Sequence, residues 1–364
     1  MKISIVMRFH DNTASGGRKI VYDYANYLVS RGHEVEIIFE ADTFYKLRKL
    51  NILKHLGHFL DFVRRAKQQL TITWFSLDKR VLLKTCYSTK RRMFDHQDVI
   101  LAFDYGIALE LFEKKVNADR LVYLIQHDEQ VYNEERIVRA AWRLPIQKIV
   151  VATWLLNLVK KIESHVVLVK NYVRKSDFYI INPIAMRGHV VSLINHPNKY
   201  KDTRTGLKAL EIVHASFPDL KVIFFGNFEP PENLPTYIYY IQKANIKTLR
   251  ERIYNQSSIF LFTSILEGWG LVATEAMASG AALVSTRNGG VDDFGIENQT
   301  ALLNDVGDYQ GLADSIISLF NDNSKRIRIA TNGAKLVQSL TFKSSAQKFE
   351  NVLLEIVRKA KHNG

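Results

Sequence analysis

Short apolar runs alternate with helical periodicities along almost the whole chain. Lys2 to Phe9 alternates and is rich in β-formers, as a first strand should be. A small polar loop follows, Asn12-Thr13-Ala14-Ser15-Gly16-Gly17, after which Ile20, Tyr24, Tyr27 and Leu28 recur at helical spacing. Gly32-His33 stops that helix, and Glu34 to Phe39 reads as a second strand. Asp98–Phe103, Leu121–Ile125 and Ile149–Ala152 are further buried-strand candidates separated by helical patterns. Continuous apolar strands linked by helices predict a parallel sheet covered on both faces. Val190–Leu193, Lys221–Phe225, Ile259–Phe262 and Ala282–Ser285 repeat the style in the second half. The prediction is α/β: two Rossmann-like, doubly wound domains with a boundary near Asp177–Arg187. In open sheets of this kind ligands sit beyond the carboxyl ends of the strands, so two facing domains would place a site in the cleft between them.

Length agrees with two domains, since 364 residues exceed one ordinary core. A hydrophobic content of 47% with only 7 prolines argues against disorder. The lone Cys86 allows no internal disulfide. Lys2–Met7 meets Arg8 too early for a secretory leader, and the longest apolar stretch, around Ile146 to Val159, is broken by Gln147, Lys148 and Asn157. A cytoplasmic protein is expected. Charge alters this picture. The net charge is +13, and residues 44–94 hold thirteen Lys or Arg against two acids, Asp61 and Asp78. Such a segment seeks a polyanion.

The stretch with chemical content is Glu267-Gly268-Trp269-Gly270-Leu271-Val272-Ala273-Thr274-Glu275, directly after the Ile259–Phe262 strand. Gly268 and Gly270 lack side chains, so a ligand can approach their backbone. A helix starting near Leu271 would aim its first N–H groups and its positive dipole end at a phosphate. Glu275, one turn in, can accept from both hydroxyls of a ribose. Glu267, at the strand end, can reach the hydroxyls of a sugar on the diphosphate. As an isolated pair, two acids eight apart would be ordinary solvated groups; strand, double glycine, helix and acid in order are not.

"EGWGLVATEAMASG" resembles the signature of the retaining GT-B glycosyltransferases of family four, the group 1 glycosyltransferases. The resemblance extends over nearly the whole chain. "ASGGRKIVYDYANYLVSRGHEVEIIF" resembles that family's glycine loop and first helix, and "VYLIQHDE" the strand that delivers a histidine. "KDTRTGLKALEIVHASFPDLKVIFFG" resembles the opening of the donor domain, and "STRNGGVDDF" the glycine turn after the signature helix. The resemblance implies an acceptor domain over 1–182, a donor domain over 183–342, and a last helix, 343–364, that returns to the first domain. It implies that Glu275 binds ribose, that Glu267 and the backbone of Gly268, Trp269, Gly270 and Leu271 bind donor sugar and diphosphate, and that His127 faces the donor sugar. Gly16 and Gly17 would let their loop approach diphosphate and acceptor, and Lys201 would neutralise the diphosphate. Two positions depart. The family's Gly-Arg before that lysine is replaced within Ser192-Leu193-Ile194-Asn195-His196, and its following glycine is Asp202. Lys199 and Arg204 are then the expected substitutes for the missing cation. Asp128 and Glu129 fit either acceptor-side groups or solvated acids, and Asp292-Asp293 fits a turn or helix cap.

The implied reaction transfers a hexosyl or deoxyhexosyl unit from a nucleotide diphosphate sugar, with retention, to a glycan or lipid-linked acceptor. Leaving-group charge would be stabilised by the helix dipole, Lys201 and backbone N–H groups. No protein nucleophile, cofactor or metal is expected; no Asp-x-Asp occurs in the chain. "VYLIQHDEQVYN" is also similar to transferases of surface polysaccharide synthesis. Three rival readings fit parts of the sequence. A glycosidase could pair Glu267 with Glu275, but leaves the glycines unexplained. A GT-B sugar-nucleotide epimerase needs no acceptor surface. A non-catalytic transferase-like subunit needs neither glutamate nor Lys201. Turnover of a nucleotide sugar with and without acceptor separates all three from transfer.

The basic segment has its own pattern. Leu50, Leu53, Leu56, Phe59, Leu60 and Val63 fall at mostly three- and four-residue spacing, with Lys46, Lys49, Lys54, Arg64, Arg65 and Lys67 among them and Lys90, Arg91 and Arg92 beyond. Such a helix either packs in a core with its cations solvated or lies flat on an anionic bilayer. The expectation is that residues 46–92 meet an anionic membrane surface at the inner face. Nucleic-acid binding would explain the charge but not the signature, and is not expected.

Overall fold

The computed structural model describes residues 1–9, 12–41 and 52–362. Two compact units emerge, Met1–Lys170 together with the segment from Ser345 onward, and Asn171–Ser344.

The first unit is built on a seven-stranded sheet: β1 (Lys2–Arg8), β2 (Glu34–Glu40), β3 (Leu82–Cys86), β4 (Val99–Ala102), β5 (Leu121–Ile125), β6 (Gln147–Val150) and β7 (Val166–Leu168). The order is β3-β2-β1-β4-β5-β6-β7 and every pairing is parallel, with Ile5 opposite Ile37 on one side and Leu101 on the other. β4 and β5 are buried at every position, as strands covered on both faces must be. Helices Gly16–Ser30, Tyr105–Glu113, Glu135–Trp142 and Thr153–Lys160 make the connections.

The second unit repeats the plan with β8 (Val190–Ile194), β9 (Lys221–Gly226), β10 (Ile238–Gln242), β11 (Ile259–Phe262), β12 (Ala282–Thr286) and β13 (Ala301–Asn304). Its order is β10-β9-β8-β11-β12-β13, again all parallel. Both sheets reverse order beside their first strand, which is the crevice position of doubly wound folds. Val191, Leu193, Leu261, Val284 and Leu210 form the heart of its core.

The division falls at Lys170/Asn171, earlier in the chain than the 182/183 boundary expected from sequence. The reason lies in backbone satisfaction. The Asn255 side chain accepts from the N–H groups of Ile181 (2.7 Å) and Asn182 (3.2 Å) and donates to Tyr179 O (3.0 Å). The Arg187 guanidinium donates to the carbonyls of Asn182 (2.9 Å), Ser257 (2.9 Å) and Ser279 (2.7 Å). Backbone groups that leave water must find partners, and those of this linker, whose Tyr179, Ile180 and Ile181 side chains stay exposed, find them in the second unit.

The last helix, Phe342–His362, contributes to the first unit. Phe349 stacks on Tyr24 with ring centroids 4.2 Å apart. Tyr24 Oη and Ser345 Oγ lie 2.8 Å apart, while Glu350 accepts from Tyr27 Oη (2.9 Å) and contacts His33 Nε2 (2.8 Å).

The expected basic amphipathic helix is present as Ile52–Gln69. Phe59 and Phe62 dock on Tyr87 at 5.3 and 5.7 Å, and Phe62 also meets Phe9 at 5.8 Å. Leu56, Leu60 and Val63 face outward, 55%, 60% and 55% exposed. Lys46, Lys49 and Leu50, and the side chains of Leu53, Lys54, Arg65 and Lys67, lie outside the described residues. No helix among the described residues is long and apolar enough to cross a membrane.

Candidate functional site

The second unit gathers most of the sequence-predicted residues at the carboxyl ends of β8 and β11, which are neighbours in the sheet. β11 is wholly buried, and Thr263 and Ser264 continue it inward. The chain then turns through Glu267–Gly270 into the Leu271–Ala278 helix. Gly270 stands at φ +95°, and a Cβ there would lie 2.8 Å from the Phe262 ring. Both the left-handed backbone and the close ring demand glycine. Gly290, in the next turn, would place a Cβ 2.6 Å from both Glu267 Cβ and Trp269 O. The glycine turn is therefore pressed directly against the signature loop.

Glu267 is 6% exposed. Its Oε1 accepts from Lys201 Nζ at 2.5 Å and from Ser264 Oγ at 2.7 Å, and its own N–H donates to Asn288 O at 2.9 Å. Lys201 belongs to a 3₁₀ turn, Lys199–Lys201, tied to the strand end by Thr263 Oγ1 donating to Lys201 O (3.1 Å) and Ile265 N–H donating to Tyr200 O (2.6 Å). Asp202 takes the place of the expected glycine and adopts φ +43°, ψ +44°. Aspartate is one of the few residues that tolerate this region, and its carboxylate caps the Thr203–Ser216 helix through Thr205 N–H. The departure costs the turn little.

The Leu271–Ala278 helix has Gly270 at its cap and no side-chain capping bond. Ala273 and Thr274 N–H already donate to Gly270 O (3.0 and 3.2 Å), which leaves the N–H groups of Leu271 and Val272, among the described residues, to face an anionic ligand. Glu275, one turn in, accepts from Tyr254 Oη at 3.3 Å. Burial, with Glu275 adding to it, raises the Tyr254 phenol well above its ordinary value, so Tyr254 stays a donor. Trp269 is different: its indole is 3% exposed and packs on Phe294 at 5.5 Å. What this residue offers a ligand is backbone.

Lys199 and Arg204, the expected substitute cations, are exposed. Among the described residues neither makes a hydrogen bond or ion pair with Glu267 or Lys201. The group that does sit near both is His196, which sequence reasoning passed over. Burial and then Lys201 push its imidazole below the ordinary value, and Glu267 opposes them.

In the first unit, Gly16 opens the Gly16–Ser30 helix behind an extended Ser15. A Cβ on Gly17 would lie 3.4 Å from the Gln126 amide, so the glycine loop rests against the end of β5. Gln126 is a second residue that sequence reasoning missed. His127 follows it, with Nδ1 2.9 Å from Asp128 O. A carbonyl only accepts, so Nδ1 carries the proton and Nε2 of the neutral ring is an acceptor. Tyr132 lies 5.5 Å from the ring. Asp128 and Glu129 each hold a contact within their own unit. Asp128 caps the following turn at Gln130 N–H (3.1 Å). Glu129 accepts from Tyr105 N–H (3.3 Å) and contacts Tyr123 Oη. Burial and then Asp104 push its carboxyl up to about 8. Beneath these loops lies an unforeseen charge cluster: Arg8 Nη1 donates to Glu40 (2.7 Å) and Glu110 (3.2 Å), and Lys114 joins Glu110. Burial and the neighbouring Glu110 push Glu40 up to about 8. Asp292 and Asp293 fall in a 3₁₀ turn, Gly290–Asp293, as expected.

This strand–glycine–helix arrangement has a match among known families. Residues 181–336 match the model described as glycosyl transferases group 1. They form a group 1 glycosyltransferase domain. That group 1 domain lies wholly inside the second unit. The chain is 25% identical over 157 residues to the capsular polysaccharide biosynthesis glycosyltransferase CapM of Staphylococcus aureus, covering 41% of each. It is 26% identical over 183 residues to a D-inositol 3-phosphate glycosyltransferase of Corynebacterium glutamicum, covering 46% of this chain and 44% of that one. The chain thus spans less than half the length of these curated relatives. Solved structures match more widely. Sucrose-phosphate synthase of Thermosynechococcus elongatus superposes with a TM-score of 0.73 at 15% identity, over 98% of this chain and 99% of that one. Anabaena HepE in complex with UDP and glucose gives 0.73 at 14%, over 98% and 100%. The fold is GT-B.

Proposed function

We propose that this protein is a retaining glycosyltransferase that moves a sugar from a nucleotide diphosphate donor to a glycan or lipid-linked acceptor, in the synthesis of cell-surface polysaccharide or glycoconjugate. One observation carries the reading: the Lys201–Glu267 pair at 2.5 Å, set beside an uncapped helix start with Glu275 one turn further on. The arrangement has a place for each part of the donor. Glu275 suits the ribose hydroxyls. The helix start and Lys201 suit the diphosphate, whose charge grows as the glycosidic bond breaks. Glu267, held by Lys201 and Ser264, suits the sugar hydroxyls. His127, Gly16 and Gly17 keep the roles that the resemblance gives them, the first toward the donor sugar. His127 Nε2, an acceptor, suits a sugar hydroxyl. No residue acts as nucleophile, and no metal or cofactor takes part on this reading, consistent with the missing Asp-x-Asp.

The acceptor side and location follow from the Ile52–Gln69 helix. Its outward Leu56, Leu60 and Val63, with Arg64 beside them, suit the inner face of an anionic membrane, as does the excess of Lys and Arg that the sequence carries over 46–92. The protein is then cytoplasmic and peripheral.

The test is donor binding and product configuration. Glu275→Ala and Lys201→Ala are each expected to weaken binding of UDP, the nucleotide held by HepE, or of its GDP or ADP counterpart, by roughly ten- to a hundred-fold. The product should keep the donor's anomeric configuration by NMR, at a rate a chelator leaves unaltered. Unchanged nucleotide affinity in both variants, or an inverted product, overturns the proposal.

A further inference from the structure

We propose that His196 is the second group this site sets against the donor's diphosphate, as an Nε2–H donor, in place of Lys199 or Arg204. The inference rests on the reading of the second unit as a nucleotide diphosphate site.

Position comes first. His196 leaves the carboxyl end of β8, beside the end of β11 that leads to Glu267. Its ring is steadied by Phe228, edge-on at 5.0 Å, and by Tyr200 at 6.3 Å. The charged groups that act on it are Lys201 and Glu267.

Its protonation follows from one contact. Asn198 N–H lies 3.1 Å from His196 Nδ1. A backbone N–H only donates, so Nδ1 holds the lone pair and the single ring proton of the neutral form sits on Nε2. Among the described residues no acceptor takes that proton. Burial and Lys201 favour the neutral ring, so near pH 7 the site presents an uncharged N–H rather than a second fixed cation.

A neutral donor has a consequence that Arg or Lys would lack. A bound diphosphate favours the imidazolium, so donor binding draws a proton onto Nδ1 and tightens as pH falls. The cost is the Asn198 contact, which the imidazolium gives up.

The experiment measures binding of inorganic pyrophosphate, UDP, GDP and ADP by calorimetry at pH 7.5 and 5.5. Proteins are wild type, His196→Ala, His196→Gln, Lys201→Ala and the double variant Lys199→Gln/Arg204→Gln, each first checked for an unchanged melting temperature. His196→Ala is expected to bind roughly two- to ten-fold more weakly at pH 7.5 and roughly ten- to a hundred-fold more weakly at pH 5.5, where the contact is charged. His196→Gln, which keeps an N–H but cannot titrate, stays near wild type at pH 7.5 and loses the gain at pH 5.5. This comparison removes the probes' own titration. The Lys199/Arg204 variant binds like wild type. If Lys201→Ala is weakened and His196→Ala is not, the inference fails while the site stands. If the Lys199/Arg204 variant loses affinity instead, the second contact belongs to those residues. If no probe binds wild type, or neither Lys201→Ala nor His196→Ala matters, the site reading fails and takes this inference with it.

Discussion

Gly290→Ala tests whether the glycine turn holds the signature loop in place. Gly290 has no left-handed backbone to lose, so its effect is one of space alone. The new methyl carbon would lie 2.6 Å from Glu267 Cβ and 2.6 Å from Trp269 O, both fixed by the backbone of one loop. Ordinary van der Waals contact begins near 3.4 Å, so the loop must retreat by most of an ångström. Forcing a methyl into a well-packed site costs about 1–3 kcal/mol. For a unit of this size each kcal/mol shifts the melting point by about 2–4 °C, giving a fall of roughly 2–12 °C. The retreat also moves Glu267 away from Lys201, so nucleotide affinity falls with stability. Gly307→Ala is the control. It stands at φ +83° with nothing within 4 Å of a Cβ, so it meets only the left-handed penalty of about 1–2 kcal/mol and leaves nucleotide affinity alone. Calorimetric melting and nucleotide titration of both variants make the comparison. Gly290→Ala melting within a degree of wild type, with unchanged affinity, would refute the argument.

Two further outcomes follow. Glu129 and Glu40 titrate above the ordinary carboxylate range in the folded chain, so the native state holds more protons than the unfolded one between about pH 4.5 and 8. Their stabilisation is complete below the unfolded value and disappears as pH rises through about 8. Glu129→Gln should then melt above wild type near pH 9 and show no such advantage at pH 5; a constant difference across that range would contradict the assignment. Wild type should pellet with anionic vesicles at low salt and not with neutral ones. A variant with Lys46, Lys49, Lys54, Arg64, Arg65 and Lys67 changed to Gln should stay in the supernatant, and equal pelleting on both vesicle types would favour a soluble acceptor.

Nine strands were legible in the sequence because they lie inside the sheets and read as short apolar runs or, in β1, as an alternation. The four that were not, β3, β7, β10 and β13, are the four sheet edges. An edge strand has one open flank, and here Leu82 and Tyr239 are 53% and 58% exposed, while Lys84 and Thr85 cut the apolar run of β3 short. The same distinction governs the site. Gly268, Gly270 and Glu275 are local in sequence, and their order on a strand–turn–helix betrays them. The Lys201–Glu267 pair joins residues far apart; only the family resemblance pointed to Lys201, and nothing in the sequence announced that the two meet. His196 was invisible for a finer reason: its character depends on which ring nitrogen Asn198 N–H meets. The Arg8–Glu40–Glu110–Lys114 cluster draws on β1, β2 and a helix, and no spacing announces it.

The return of the Phe342–His362 helix to Tyr24, Tyr27 and His33 bears on how the chain is made. A ribosome delivers Asn171–Ser344 as one uninterrupted block, so the second unit has all its parts before the first one does. The first unit, begun earliest, waits for Ser345, Phe349 and Glu350, with the face of its opening helix uncovered meanwhile. Biogenesis therefore runs against chain order, and the aromatic surface around Tyr24 is the segment a nascent-chain chaperone would have to shield longest.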